Sequence, residues 1–157
     1  MNLIYDDTKN SSDLYYKTSF KAPDPVIFFE IRKKKYLVLN DLELERGKSQ
    51  AKVDEVLSLR EKAEKIKSRD IVDILVEIIS EYKIKKVLVP FTFPSYVFNE
   101  LRKRRIKIEA ASSSIFFNER LLKSSSEIKK IKSTMRFTEK VLGEVISKIK
   151  YSKPRNK

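Results

Sequence analysis

The last third of the chain has the clearest pattern of apolar and polar positions. Ser124 and Glu127 have the S-x-x-E spacing of a capping box, which predicts the start of a long helix. Apolar residues then recur at alternating spacings of three and four, with Thr138 in the one polar place, at Ile128, Ile131, Met135, Leu142, Val145 and Ile149. They form a single stripe on one helix face. Such a stripe needs a partner, either the preceding domain or another polypeptide.

Short apolar runs predict strands in the first forty residues. NLIY is typical of a strand that stops at the turn-forming string DDTKNSS, and DLYYKTSF is typical of a second short strand or strand edge. Residues 26–31 and 35–40 predict a hairpin joined by Arg32, Lys33 and Lys34. Because both runs are nearly all apolar, we expect strands covered on both faces.

The segment after the hairpin, residues 41–59, is polar and favours helix. We expect it to contain a turn at Arg46 and Gly47, a short helix, and a strand at 53–57 as one option.

Helical and strand patterns then alternate up to residue 111. A helix that opens at Asp70 or Asp73 precedes a strand at 87–90, and a helix at 95–103 precedes a strand at 107–111. Short connections imply parallel pairing at this end of a sheet whose other end is the hairpin. The predicted fold class is therefore α/β, a mixed sheet with helices on both faces, plus a long C-terminal helix.

Composition excludes several classes of protein. With 157 residues, 41% of them hydrophobic, the chain is long and apolar enough for one compact domain. It has no Cys, which excludes disulfides and Cys-ligated zinc, and no His, which excludes a Ser-His-Asp triad. We find neither a run of about 18 apolar residues nor a signal-peptide pattern, so we expect a cytoplasmic protein.

The net charge of +13 is concentrated near the C-terminus, since residues 120–157 hold 12 Lys and Arg against 3 Glu. A basic helix of this kind can bind the phosphate backbone of a nucleic acid. However, this region has few aromatic residues to stack on bases, so the favoured interpretation is the solvated face of a long helix.

Candidate chemical motifs have simpler structural explanations. Gly47-Lys48-Ser49 lacks the first glycine of a phosphate-binding loop, because Leu42 stands in its place. The carboxylates of Asp41, Glu43 and Glu45 alternate with leucines and are interpreted as the solvent face of a strand end rather than a metal or general-acid cluster. The serines at 112–114 and 124–126 have no neighbouring base and are assigned loop and cap roles.

Five stretches of the sequence are similar, in content and in order, to one known protein family. They are NLIYDD with DLYYKTSF, VIFFEIRKKKYLVLN, ELERGKSQAKVDEVLSL, KKVLVPFTFPSYVFNELRKRRIKIE and ERLLKSSSEIKKIKSTMRFTEKVL. Together they span nearly the whole chain and resemble the creatinase/prolidase-type N-terminal domain of Xaa-Pro aminopeptidases and dipeptidases, in the pita-bread metallopeptidase family. The last stretch resembles the junction at which an Arg-x-x-Lys and a Glu-Ile pair introduce the first helix of the catalytic domain. Here these residues are Arg120, Lys123, Glu127 and Ile128.

The resemblance implies a noncatalytic α/β domain of ribonuclease-H-like topology, which in relatives helps to build the oligomer and to shape access to the active site. It places the dinuclear metal site of the family, formed by two Asp, one His and two Glu, in the following domain. No catalytic, metal-binding or cofactor-binding residue is therefore carried over to this sequence. Two features depart from the family. The N-terminal helix of many members is missing, and polar residues stand where a turn glycine is expected, at Arg105 and at 112–114.

These observations divide the chain into an N-terminal α/β domain at 1–122, a connector helix at 123–151 that would start a missing catalytic domain, and a polar tail at 152–157. We expect a truncated or stand-alone domain that is not an enzyme. It would act in oligomerisation, as a homodimer with an antiparallel or parallel helix pair, or by association with a peptidase catalytic domain. The alternative is a small basic nucleic-acid-binding protein that uses residues 120–157.

Overall fold

A computed structural model describes residues 1–152, and the chain separates into two compact units, Met1–Asn118 and Glu119–Lys157. The first unit contains a six-stranded sheet of strands β1 (Asn2–Asp6), β2 (Val26–Ile31), β3 (Lys34–Leu39), β4 (Glu55–Ser58), β5 (Val87–Val89) and β6 (Ile108–Ala110). Its helices are α1 (Ser12–Thr18), α2 (Asp41–Gln50), α3 (Leu59–Ile66), α4 (Ile71–Glu81) and α5 (Ser95–Lys103). The second unit contains one long helix, α6 (Ser125–Tyr151). Except for Ser152, the predicted polar tail lies outside the described residues.

The sheet is mixed, with the strand order β4-β3-β2-β1-β5-β6. Strand β2 runs antiparallel to both β1 and β3, and the other pairs are parallel. This confirms the predicted fold class and the parallel pairing of β5 with β6. The expectation that the hairpin closes the far end of the sheet was wrong, because β4 pairs in parallel with β3 and forms that edge.

Both faces of the sheet are buried. On one face, Ile27 and Phe29 of β2 pack in the same cluster as Leu75 of α4. On the other face, Phe28 packs in a cluster with Leu14 of α1. Successive side chains of a strand point to opposite faces, so a strand with helices on both sides must be apolar at nearly every position, as the sequence of the hairpin predicted.

Most of the segment DLYYKTSF, residues 13–18, lies in helix α1, and its assignment to a short strand or strand edge was wrong. Ser11 caps the helix, because its side chain accepts a hydrogen bond from the backbone N–H of Leu14 at 3.2 Å. Leu14 and Thr18, one helical turn apart, are both buried. The two tyrosines favour a strand, but the cap and this i,i+4 pair favour the helix more strongly.

The predicted turn at Arg46 and Gly47 does not occur, because α2 runs through both residues. Gly47 is buried, and a Cβ atom placed on it would lie 2.1 Å from Cδ1 of Leu39 and 3.4 Å from Cγ1 of Val56. The glycine is therefore needed for the close approach of α2 to β3 and β4, not for a turn.

Two tight turns use left-handed backbone without glycine. The hairpin turn consists of Arg32 and Lys33, with φ of 50° and 71°, so Lys34 belongs to β3 rather than to the loop as predicted. Arg105, where the family resemblance suggested a glycine, has φ of 62°. The turn conformation at residue 105 is thus kept with a polar residue, at some cost in backbone strain.

The segment at the end of the first unit is hydrogen-bonded to a buried carboxylate of α1. Asp13 is 8% exposed, and its two oxygens accept hydrogen bonds from the backbone N–H groups of Phe116 at 3.2 Å and Phe117 at 3.3 Å. The ring of Phe117 packs edge-on against Phe28, and the amino group of Lys17 lies 4.1 Å from its centroid. These contacts hold the segment that leads out of the domain.

Candidate interaction surface

Helix α6 begins as the sequence predicts, at a complete capping box. The Oγ atom of Ser124 accepts from the backbone N–H of Glu127 at 3.3 Å, and the Glu127 carboxylate accepts from the backbone N–H of Ser124 at 2.8 Å. Hydrogen bonds from the Ser124 hydroxyl, and then from its backbone N–H, lower the pKa of the Glu127 carboxyl. Because this bonding satisfies free N–H groups at the helix start, the position of the first turn is well defined.

The apolar stripe predicted for this helix is exposed along its whole length. We call it the α6 stripe, and its members are Ile128 (42% exposed), Ile131 (47%), Met135 (56%), Thr138, Leu142 (56%), Val145 (46%) and Ile149 (68%). None of the residues of α6 is buried, whereas the core residues of the first unit are 8% exposed or less. A helix that carries so much exposed apolar surface is typical of an interaction site.

The α6 stripe is wider than its heptad positions alone. Val141 and Ile146, which flank Leu142 and Val145, are 44% and 55% exposed. The stripe predicted from the sequence omits both residues, although the apolar doublets at 141–142 and 145–146 are the signal that marks them. The C-terminal half of the helix therefore offers the broader apolar surface.

Thr138 interrupts the α6 stripe without leaving a free hydrogen-bond donor. Its hydroxyl donates to the backbone carbonyl of Thr134 at 3.1 Å, one turn earlier in the same helix. A polar group can be buried at little cost when its hydrogen bond is already made. The stripe can therefore be covered at this position as well.

Charged residues flank the stripe in a defined order. Glu127 and Lys148 each precede an apolar stripe residue and lie on one flank, whereas Lys132 and Glu139 each follow a stripe residue and lie on the other. Each flank thus carries one acidic and one basic side chain, at opposite ends. The further basic residues of the helix, including Lys129, lie outside these positions.

The residues of the family-like junction make local contacts. Arg120 lies in a short 3₁₀ helix, Asn118–Leu121, and its backbone carbonyl accepts a hydrogen bond from the Lys123 amino group at 2.9 Å. Glu127 forms the capping box described above. The three residues therefore define the turn and cap that lead into α6, while their correspondence to the family junction stays a prediction.

The carboxylates at positions 41, 43 and 45 form ion pairs on a helix. The prediction that they lie on the solvent face of a strand end was wrong. Asp41, Glu43 and Glu45 lie in the first turns of α2, where they pair with Arg60, Arg46 and Lys48, respectively. Within residues 1–152, no three His, Cys, Asp or Glu side chains are grouped so as to hold a metal ion.

The Gly47-Lys48-Ser49 motif is part of helix α2. The Ser49 hydroxyl donates to the backbone carbonyl of Arg46 at 3.0 Å, and the Lys48 amino group lies 2.7 Å from a Glu45 carboxylate oxygen. These side chains are thus engaged within one helix and do not form a phosphate-binding loop.

An open cleft of about 660 Å³ lies beside α3 and is lined in part by Asp41, Arg60, Glu64 and Lys67. Arg60 contacts Asp41 at 3.1 Å and Glu64 at 3.8 Å, so three of the charged side chains in its lining pair with one another. Exposed ion pairs of this kind contribute little energy. No helix among the described residues is both long and apolar enough to cross a bilayer.

Comparison with known proteins gives matches at the level of structure. No protein-family model matches the sequence, and no curated protein sequence matches it either. An Xaa-Pro dipeptidase from Bacillus anthracis superposes on 93% of this chain, with a TM-score of 0.71 and 16% identity. An X-Pro aminopeptidase from Thermotoga maritima matches 94% of the chain (TM-score 0.69, 17% identity), and a prolidase from Pyrococcus furiosus matches 99% (TM-score 0.58, 17% identity).

These matches cover 38%, 40% and 40% of the three peptidase chains, respectively, so this chain spans about two-fifths of their length. At this level of identity the likeness shows the fold alone. The chain therefore has the α/β fold of one part of Xaa-Pro peptidases, with the long helix α6 after it.

Proposed function

We propose that this chain is a noncatalytic domain of an Xaa-Pro peptidase-like protein, corresponding to the N-terminal domain, and that it acts by association through α6. The observation that supports this most strongly is the extent of the structural match, in which nearly all of this chain corresponds to about two-fifths of a peptidase. The sequence resemblance assigns the same region to the N-terminal domain. In that family the metal ligands belong to the following domain.

The side chains available here support a noncatalytic role. The metal set of the family includes a histidine, and this sequence contains none. The carboxylates of α2 are paired with Arg and Lys side chains of the same unit. Hydrolysis of a peptide bond by a dinuclear site needs ligands that hold two metal ions about 3.5–4 Å apart.

The α6 stripe supports association as the mode of action. Long helices in water are stabilised mainly by packing of their apolar face, so a 27-residue helix with an exposed stripe needs a covering partner. The covering surface would be a second copy of the chain or a peptidase catalytic domain.

The test is a peptidase assay on the purified chain, supplied with Mn²⁺ or Co²⁺ and an Xaa-Pro dipeptide. We expect no turnover above buffer. An Xaa-Pro dipeptidase with its metal site intact, run under the same conditions, shows that the assay works. Metal-dependent hydrolysis that follows the protein through two unrelated purification steps and is abolished by a chelator contradicts the proposal.

A further inference from the structure

We infer that α6 pairs with the same helix of a second copy of this chain, in an antiparallel coiled coil whose two-fold axis passes between Arg136 and Phe137. This inference deepens the proposed association role by naming the partner and the register. It rests on the unbroken heptad spacing of the stripe, the order of its flanking charges, and the internal hydrogen bond of Thr138.

The heptad spacing predicts how two such helices fit together. Apolar residues that alternate at spacings of three and four keep one seam facing a partner helix over many turns, and each side chain then packs into a hole on that partner. In the proposed register the contacts are Ile128 with Val145 of the second copy, Ile131 with Leu142, and Met135 with Thr138, each formed twice. Every layer then contains at least one large apolar side chain.

The flanking charges match an antiparallel pair. Side chains on the same flank of the two helices meet in this arrangement, so Glu127 lies opposite Lys148 of the second copy. On the other flank, Lys132 lies opposite Glu139. Symmetry repeats both contacts, which gives opposite charges at every charged pair along the seam.

A parallel pair makes fewer favourable contacts. There, each flank meets the opposite flank of the partner at an offset of five residues, so Glu127 lies opposite Lys132, while Glu139 lies opposite the neutral Thr134. Glu139 then has no partner of opposite charge along the seam. Lys132, its partner in the antiparallel pair, faces Glu127 instead, and no other described basic residue faces Glu139. The sequence thus favours the antiparallel orientation through its charges, and also through Thr138, which in a parallel pair would face Thr138 of the second copy.

Thr138 occupies a central layer, where an unsatisfied hydroxyl would weaken the pair. Its donor is already used by the Thr134 carbonyl at 3.1 Å, so the methyl group can face Met135 of the second copy. The layer nearest the two-fold axis is therefore compatible with burial. It also contains the smallest side chain of the seam, which leaves room for the longer methionine.

Disulfide trapping tests the register, because the chain contains no cysteine of its own. The variants Ile128→Cys and Val145→Cys are oxidised separately and as a mixture. In the proposed pair, residue 128 faces residue 145 of the second copy, within the roughly 7 Å between Cα atoms that a disulfide tolerates. Two copies of residue 128 are about 17 residues, or ~25 Å, apart along the helix.

We therefore expect the mixture to give a covalent heterodimer joined through 128 and 145, and each variant alone to stay free of covalent homodimer. A covalent homodimer of Ile128→Cys alone shows a parallel pair and overturns the inference. A mixture without covalent product overturns it as well. Ser133→Cys, which lies on the opposite face of the helix, is the matched control and is expected to give no specific product.

Charge reversal gives a second measurement that does not depend on cysteine. Glu139→Lys places two positive charges opposite each other at both symmetry-related contacts between residues 139 and 132. The substitution is therefore expected to raise the dissociation constant of the pair about tenfold. Adding Lys132→Glu restores opposite charges only in the antiparallel register, so the double variant should recover the original dissociation constant. Failure of the double variant to recover contradicts this register.

These results separate the inference from the proposed function. A chain that is monomeric and also inactive on Xaa-Pro dipeptides overturns the self-pairing and still agrees with a noncatalytic domain that binds a different protein. Metal-dependent hydrolysis overturns the proposed function whatever the oligomeric state.

Discussion

Replacing two residues of the α6 stripe with aspartate should separate the two copies. The double variant Leu142→Asp and Val145→Asp removes two apolar side chains from each helix and places four carboxylates in the seam. Leu142 and Val145 are 56% and 46% exposed, so about half of each side chain is available for burial by a partner. We choose this pair because both residues lie well away from the capping box that starts the helix.

The expected size of the effect follows from that exposure. Full burial of a leucine or valine side chain is worth about 1.5–3 kcal/mol, so covering half of each is worth ~1 kcal/mol. Four such side chains contribute about 4 kcal/mol to the dimer, and each ~1.4 kcal/mol corresponds to a factor of ten in the dissociation constant. The variant should therefore dissociate at concentrations roughly a thousandfold higher than the unchanged chain. Desolvation of the carboxylates adds to this effect.

Sedimentation equilibrium over a range of protein concentrations measures this change. The matched control is Ser133→Asp with Ser147→Asp, which adds the same charge on the opposite face and should leave the dissociation constant nearly unchanged. Circular dichroism checks that both variants keep their helix content. If the stripe variant has the same dissociation constant as the control, the stripe is not the surface that joins the two copies, and the reasoning fails.

Three further predictions concern the caps and the core. Asp13→Ala leaves two N–H groups unsatisfied and should cost about 2–4 kcal/mol of unfolding free energy in urea, with faster amide exchange at Phe117; unchanged stability would show that this carboxylate is not an anchor. Gly47→Ala forces Leu39 to move, which costs ~1–3 kcal/mol against a helix-propensity gain of ~1 kcal/mol, so we expect a net loss in the same assay, and a gain in stability would contradict the close approach. The folded-state pKa of Glu127 is lowered, so its contribution to helix stability is complete above the unfolded value of 4.5 and is lost as the pH falls below it; Glu127→Gln should lack this step in a circular dichroism titration, and identical titrations would refute it.

The elements that the sequence predicts well are those with a long apolar pattern and a clear boundary signal. In α4, residues from Val72 to Ile79 supply a buried face, and Asp70 accepts from the backbone N–H groups of Val72 and Asp73. In α6 the capping box and the alternating spacing indicate both the start and the exposed face. Strands β2 and β3 are apolar at most positions because the sheet is covered on both sides.

Errors arose where a short segment or a single residue has two structural explanations. DLYYKTSF has tyrosines that favour a strand, and only the Ser11 cap and the buried pair Leu14 and Thr18 make it a helix. Gly47 commonly signals a turn, but here it removes a Cβ atom that would clash with Leu39. The space available at position 47 depends on strands distant in sequence, so it cannot be seen in the local pattern.

The candidate surface was accessible from sequence because it depends on one helix alone. The stripe, its cap and its flanking charges are all set by spacing along a regular helix. By contrast, the ion pair that engages Asp41 depends on Arg60 of α3, and the sequence did not indicate the contact between α2 and α3 that brings the two side chains together.

Sedimentation equilibrium of the unmodified chain tests the central claim most directly. The chain has a mass of 18.5 kDa. If α6 associates with a second copy, the fitted mass should rise with concentration towards twice this value. A mass that stays at 18.5 kDa at every concentration would contradict the claim that the α6 stripe joins two copies of this protein.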